Sequence, residues 1–109
     1  MTQPTRREKI EAMLRDDPED QFLRYGLAVE YDNEDRHDES LEVFLGLTRE
    51  HPPHIASFLR GAQLLARLDR NDEARAILRE GIEAARQQGN AHAAGEMAEL
   101  LATLGTLGP

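Results

Sequence analysis

Asp35-Arg36-His37-Asp38-Glu39 returns 34 residues further along the chain as Asp69-Arg70-Asn71-Asp72-Glu73. The register extends well beyond this acidic stretch. Pro18 and Pro52, Ala28 and Ala62, Tyr31 and Leu65, Ser40 and Ala74, and Phe44 and Leu78 all stand at the same offset. A fixed period of this length marks an array of like units, each burying an apolar face against its neighbours. The repeated stretch reads as a polar turn. Asp38 or Asp72 near a helix start can accept backbone N–H bonds, and the acids that follow suit the positive end of the helix dipole.

On either side of each turn, apolar residues recur three or four apart, the period of an amphipathic helix. Phe22, Tyr25 and Val29 precede the first turn and Leu41, Phe44 and Leu47 follow it. Phe58, Leu59, Ala62 and Leu65 precede the second, and Ala74, Ile77 and Leu78 follow. No stretch alternates convincingly with period two, and Ala, Leu, Glu and Arg are abundant where Val is scarce. That balance favours helix over strand. The units therefore read as antiparallel helix hairpins, and the fold class as all-α. Pro18 opens a Pro-Glu-Asp helix start. Pro52-Pro53 stops one helix and can open the next at its first turn, where a missing N–H costs nothing.

A length of 109 residues allows one domain with one core. With 39% hydrophobic and 31% charged residues the chain suits amphipathic helices better than disorder. Cysteine is absent, which excludes disulfides, thiolate metal sites and a Cys nucleophile. A net charge of -8 opposes nonspecific nucleic-acid binding, which rewards clustered Lys and Arg. The charge is uneven: residues 16–50 carry twelve acids and three arginines (net -9), while residues 55–88 carry five acids and six arginines (net +1). The N-terminal stretch MTQPTRREKIEAML lacks an apolar core of signal-peptide length. No run approaches the roughly 18 apolar residues of a membrane span. No membrane partner and a cytoplasmic location are the expectations.

Chemistry-bearing patterns are weak. The acidic segment Asp32 to Glu39 lacks the glycine of a calcium loop and is interrupted by Arg36, so a solvated turn is the expectation. His51-Pro52-Pro53-His54 supplies two histidines at a helix junction, too few for a zinc site, and His37 and His92 lie in other elements. No nucleophile-base pair and no glycine-rich phosphate loop is visible. Gly46, Gly61, Gly81 and Gly95 lie inside helical pattern, where close helix packing is the plainest reading. No cofactor, no metal and no enzymatic activity are expected.

The period, the small and aromatic residues at set places and the closing proline resemble the tetratricopeptide repeat family. In the first unit, closed by Pro52, Leu27, Ala28, Tyr31, Ser40, Phe44 and Leu47 fall on that family's packing positions; in the second, Phe58, Ala62, Leu65, Ala74, Leu78 and Gly81 do so. Arg24 stands where the family prefers a large aromatic, Gly61 replaces a Leu, and Arg86 replaces the second closing proline. The resemblance implies a short right-handed solenoid in a single domain. Residues 5–15 would form a half-repeat helix, 18–52 repeat one, 53–88 repeat two and 90–104 a capping helix.

By the same resemblance, the first helix of each hairpin lines a concave groove for a peptide or partner helix. The family's groove positions fall on Phe22, Tyr25, Val29, Asp32 and Asn33, then on Ala56, Leu59, Arg60, Gln63 and Arg67. The partner-binding set is Phe22, Tyr25, Val29, Asn33, Leu59, Arg60, Gln63 and Arg67. Arg60 and Arg67, seven residues apart on one helix face, can grip a carboxylate by forked hydrogen bonds, unless acids of the chain itself hold them. Tyr25 and Val29 occupy places where the family's chaperone-tail clamp has Lys and Asn, so that adaptor role is not implied. The expected function is a scaffold or adaptor binding another protein or peptide. The alternative is a homodimeric structural module that exposes a Leu-rich edge of the capping helix (Leu100, Leu101 and Leu104, extended by Leu107) to a second copy.

Overall fold

Six helices are formed among the described residues: α1 (Arg6–Asp16), α2 (Gln21–Asn33), α3 (His37–Thr48), α4 (Ile55–Arg67), α5 (Asn71–Gln87) and α6 (Ala91–Leu104). The computed structural model describes residues 2–105, and there is no strand among them. Each helix packs on the next, and α4 also meets α6. The stack is elongated, 53 × 29 × 19 Å, with a radius of gyration of 14.7 Å where a compact domain of this size would have about 13 Å. No helix among the described residues is long and apolar enough to cross a membrane.

Helix starts follow local capping chemistry. Thr5 and Glu8 form a reciprocal capping box on α1, Asp20 accepts the Leu23 N–H at 2.8 Å on α2, and Asn90 accepts the Ala93 N–H at 3.0 Å on α6. Pro18 and Pro53 lie ahead of the caps Asp20 and His54 rather than inside the first turns. The repeated turn also departs from the sequence expectation. Arg36 and Arg70 hold the cap positions without a side-chain cap bond, and Asp38 and Asp72 accept no backbone N–H among the described residues. Instead the Arg36 and Arg70 guanidiniums pair with Glu39 and Glu73, three residues on, and hold both carboxyls below their ordinary range.

The specific demand of that turn is on Asp35 and Asp69, both at φ 60. Each sits in the left-handed position just past a helix, which Gly, Asn and Asp tolerate best. The N–H two residues past each helix cap closes back on the last turn: Arg36 N to Tyr31 O and Arg70 N to Leu65 O, both at 2.8 Å. Gly89 (φ 70) makes the same turn after α5, with Asn90 N to Ala85 O at 2.8 Å. Helix α3 ends at Thr48, ahead of the two prolines, whereas α5 runs to Gln87 because Arg86 stands where a proline would stop it.

The core runs through α2 to α6, with Phe44, Leu47, Leu64, Leu65, Leu78 and Met97 wholly enclosed. Each such side chain contributes about 1.5–3 kcal/mol relative to exposure. The buried Ser40 hydroxyl donates to the Ala28 carbonyl at 2.7 Å and ties α3 to α2. Helix α1 contributes no buried residue and leaves Met13 exposed. Arg24, in place of an aromatic, clips α2 to the end of α3 through a two-pronged ion pair with Glu50, which Gln21 reinforces at 3.0 Å. At the other end, buried Arg75 of α5 pairs with Asp72 and donates to the Leu104 carbonyl at 3.0 Å, placing a cation at the negative end of α6.

The glycines divide. Gly46 and Gly95 have open space around them, contrary to the close-packing expectation, whereas a methyl on Gly81 would lie 2.5 Å from the Met97 sulfur and 2.6 Å from the Phe58 Cβ. Overpacking of this kind costs about 1–3 kcal/mol, against about 1 kcal/mol of gained helix propensity. Gly81→Ala is therefore expected to lower stability in urea unfolding by up to about 2 kcal/mol. Gly95→Ala should raise it by up to about 1 kcal/mol. Equal shifts of one sign would refute the packing described at Gly81.

Candidate binding groove

Helices α2, α4 and α6 turn side chains toward one another along one face, and these line two hollows that share Arg60. The first, about 270 Å³, is walled by Tyr25 of α2, Ile55, Ala56 and Leu59 of α4, and Ala93, Glu96 and Met97 of α6. His92 and Asn90 complete its rim. The second, about 530 Å³ and shallower, is walled by Asp32 of α2, Gln63, Ala66 and Arg67 of α4, and Leu100 of α6.

The first hollow has rigid walls. The Tyr25 ring meets Phe44 edge-on, with centroids 5.6 Å apart, and lies 5.0 Å from the His54 ring. His54 Nδ1 is 2.8 Å from the buried Ser57 hydroxyl. Burial, helped by the Arg24 cation, holds the His54 imidazole below its ordinary pKa, which keeps it neutral against the tyrosine. Met97 is only 1% exposed and forms a floor rather than a wall.

The two arginines of α4 differ. Arg67 Nη2 donates to Asp32 Oδ2 at 2.5 Å, and the other Asp32 oxygen lies 3.1 Å from His37 Nδ1. The Asp32 side chain is only 9% exposed, so Arg67 is committed to the chain's own carboxylate. Arg60 has no acidic partner among the described residues and stays half-buried between the hollows. Glu96, on the facing helix, pairs with His92 at 3.3 Å.

Of the residues expected to bind a partner, Tyr25, Leu59, Arg60, Gln63 and Arg67 are brought together in the two hollows. Phe22, Val29 and Asn33 line neither. Phe22 is 77% exposed, Val29 packs on the core, and Asn33 donates to Glu30 at 3.4 Å. Sequence reasoning missed the whole contribution of α6. The signal was present: Tyr25, Leu59 and Ala93 stand at successive offsets of 34 and line one hollow, and Asp32, Ala66 and Leu100 do the same in the other. Leu100, Leu101 and Leu104 are half-buried against the core, and Leu107 lies outside the described residues.

Three acids of the acidic segment, Asp32, Glu34 and Glu39, are paired with arginines of the chain itself. Arg7 of α1 makes two 3.0 Å bonds to Glu34, Arg36 pairs with Glu39 and lies 4.7 Å over the Tyr31 ring, and Asp32 takes Arg67. Among the described residues no group of three or more His, Asp or Glu side chains is placed to hold a metal ion.

Solved structures show the same architecture. The chain is 33% identical to a tetratricopeptide repeat domain protein from Salinibacter ruber, determined by solution NMR, with a TM-score of 0.78 over 84% of this chain and 93% of that one. A crystal structure of a tetratricopeptide repeat domain protein from the same organism matches at 31% identity and a TM-score of 0.74, over 83% of this chain and 100% of that one. No family model and no curated protein matches. With this identity over nearly the full length of the solved domains, the chain belongs to the tetratricopeptide repeat family, whose members are protein-interaction modules.

Two groups behind the groove wall give stability a definite pH dependence. His54 has a lowered folded pKa, so its contribution is complete above about 6.5 and is lost as pH falls through that value toward the lowered one. Glu50 is pulled from 4.5 to about 2 by its hydrogen bonds from Arg24 and Gln21. Its contribution is therefore complete above 4.5 and is lost as pH falls to about 2. The melting temperature by circular dichroism is expected to fall in two stages on acidification. His54→Gln should remove the upper stage, and Glu50→Gln should reduce the lower. A profile unchanged by both substitutions would contradict these assignments.

Proposed function

We propose that the chain is a non-catalytic scaffold or adaptor that holds a peptide or helix of another protein in the groove between α2, α4 and α6. The observation that supports this reading is the groove itself, largely apolar along three helices, with Arg60, which has no acidic partner among the described residues, shared by its two hollows. Tyr25, Leu59, Arg60 and Gln63 are the contacting residues, joined by Ala93 and Leu100 of α6, and Arg67 serves chiefly to hold Asp32. The net charge of -8 fits a protein partner rather than a nucleic acid, and a cytoplasmic setting suits a chain without cysteine.

Self-association through α6 is the second reading. It draws less support, because Met97 is buried and Leu100, Leu101 and Leu104 are half-buried against the core, leaving a mostly small-residue outer face at Gly95, Ala98 and Ala102. Light scattering across a wide concentration range is expected to return the monomer mass of 12.3 kDa. A stable dimer would favour the second reading.

The groove is tested by the pair Arg60→Glu and Gln63→Glu, which reverses the free charge while sparing Arg67. Substituting Arg67 by Glu would set two carboxylates against each other around a nearly buried Asp32 and confuse binding with folding. The double variant should keep its helicity and melting temperature yet lose peptides selected by the parent chain. Loss of one charge-assisted contact alone predicts a drop of about 10-fold or more. Undiminished binding would remove the groove as the site.

A further inference from the structure

We infer that the occupant of this groove is a peptide segment with one bulky apolar side chain, seated in the hollow between Tyr25, Leu59 and Ala93, and one nearby acidic side chain that pairs with Arg60. This rests on the groove being the binding surface.

The hollow of about 270 Å³ has room for one bulky apolar side chain. Tyr25, Ile55, Leu59 and Ala93 line it above Met97, and Glu96, its one carboxylate, pairs with His92 at 3.3 Å. Expelling water there with a Leu, Ile, Met or Phe side chain is favourable, and nothing at the floor asks for a hydrogen bond.

Charge argues for the acid. Arg60 is half-buried and has no carboxylate partner among the described residues. The equivalent demand at Arg67 is already met by Asp32 at 2.5 Å. A carboxylate offers the forked geometry that a guanidinium matches best. Because Arg60 lines both hollows, the acid and the apolar side chain must be close together in the ligand, within about one helical turn. One acid is favoured over a run of them, because a chain of net charge -8 repels a polyanionic segment before it reaches the contact.

The purified chain is panned against a displayed library of short random peptides, and a synthetic peptide is made from the enriched sequences. Enrichment should pair Leu, Ile, Met or Phe with Asp or Glu within about four positions. Arg60→Met keeps the aliphatic stem and removes the charge, so it should bind this peptide about 10-fold more weakly. Replacing the peptide's acid with Asn should cost the parent chain the same factor and cost Arg60→Met nothing. Ala93→Phe fills the hollow from α6 and should abolish the preference for a bulky residue; if it melts early, the Arg60→Met cycle still decides. Peptides that need the groove but carry no acid, or an acid that matters equally to both proteins, would overturn this inference and leave the groove reading standing. If no enriched peptide is sensitive to Arg60→Glu with Gln63→Glu, both fall.

Discussion

The close approach of three helices at Gly81 is the constraint on which the rest of the structure depends. Helix α5 carries no side chain there, so its backbone settles directly against Phe58 of α4 and Met97 of α6. That contact fixes the separation of α4 and α6, the two helices that α5 bridges, and so sets the width of the hollow between them. Arg75, two turns earlier on α5, holds the far end of α6 through the Leu104 carbonyl. Asn90 fixes its near end through the Ala93 N–H. Helix α6 is thus held at both ends and at its middle, which is how a short chain keeps an ordered wall for the proposed groove at its edge.

Much of the fold was legible in the sequence because the period of 34 residues recurs in chemically explicit places: the Asp-Arg turns, the prolines, and the small residues Ala28 and Ala62. The turns were legible as turns, but not for the reason first given. Asp38 and Asp72 look like caps on paper, yet the residues under steric demand are Asp35 and Asp69, whose positive φ cannot be read from hydrophobic spacing. The third turn escaped notice because it meets the same demand with a different residue. Gly89 supplies the left-handed conformation and Asn90 caps the next helix, so the hydrogen-bond pattern is conserved within the chain while the letters change.

The same substitution of means explains why only half of the groove was foreseen. Arg86 in place of a proline lets α5 run to Gln87, and the proline landmark that would announce another hairpin is lost. Helix α6 then reads as a cap, although the offset continues through Tyr25, Leu59 and Ala93 and through Asp32, Ala66 and Leu100. Small, ordinary residues such as Ala93 carry no chemical signal alone. Their role emerges only when the register is carried forward into a segment that lacks the other landmarks.

Charge shows the opposite limit, since composition alone could not separate arginines that hold the fold from one left without an acidic partner among the described residues. The excess of acids in residues 16–50 draws in cations from elsewhere: Arg7 to Glu34, Arg67 to Asp32, and Arg24 within the segment to Glu50. Each of these arginines is paired with a carboxylate the chain already owns. Arg60, one turn back from Gln63 on the same face as Arg67, lines both hollows without a carboxylate partner among the described residues, whereas Arg67 pairs with Asp32. Two residues alike in sequence and spacing are divided by what α2 and α6 place opposite them. The fold neutralises one cation and leaves the other half-buried without a carboxylate partner among the described residues, and the proposed recognition of a partner rests on that difference.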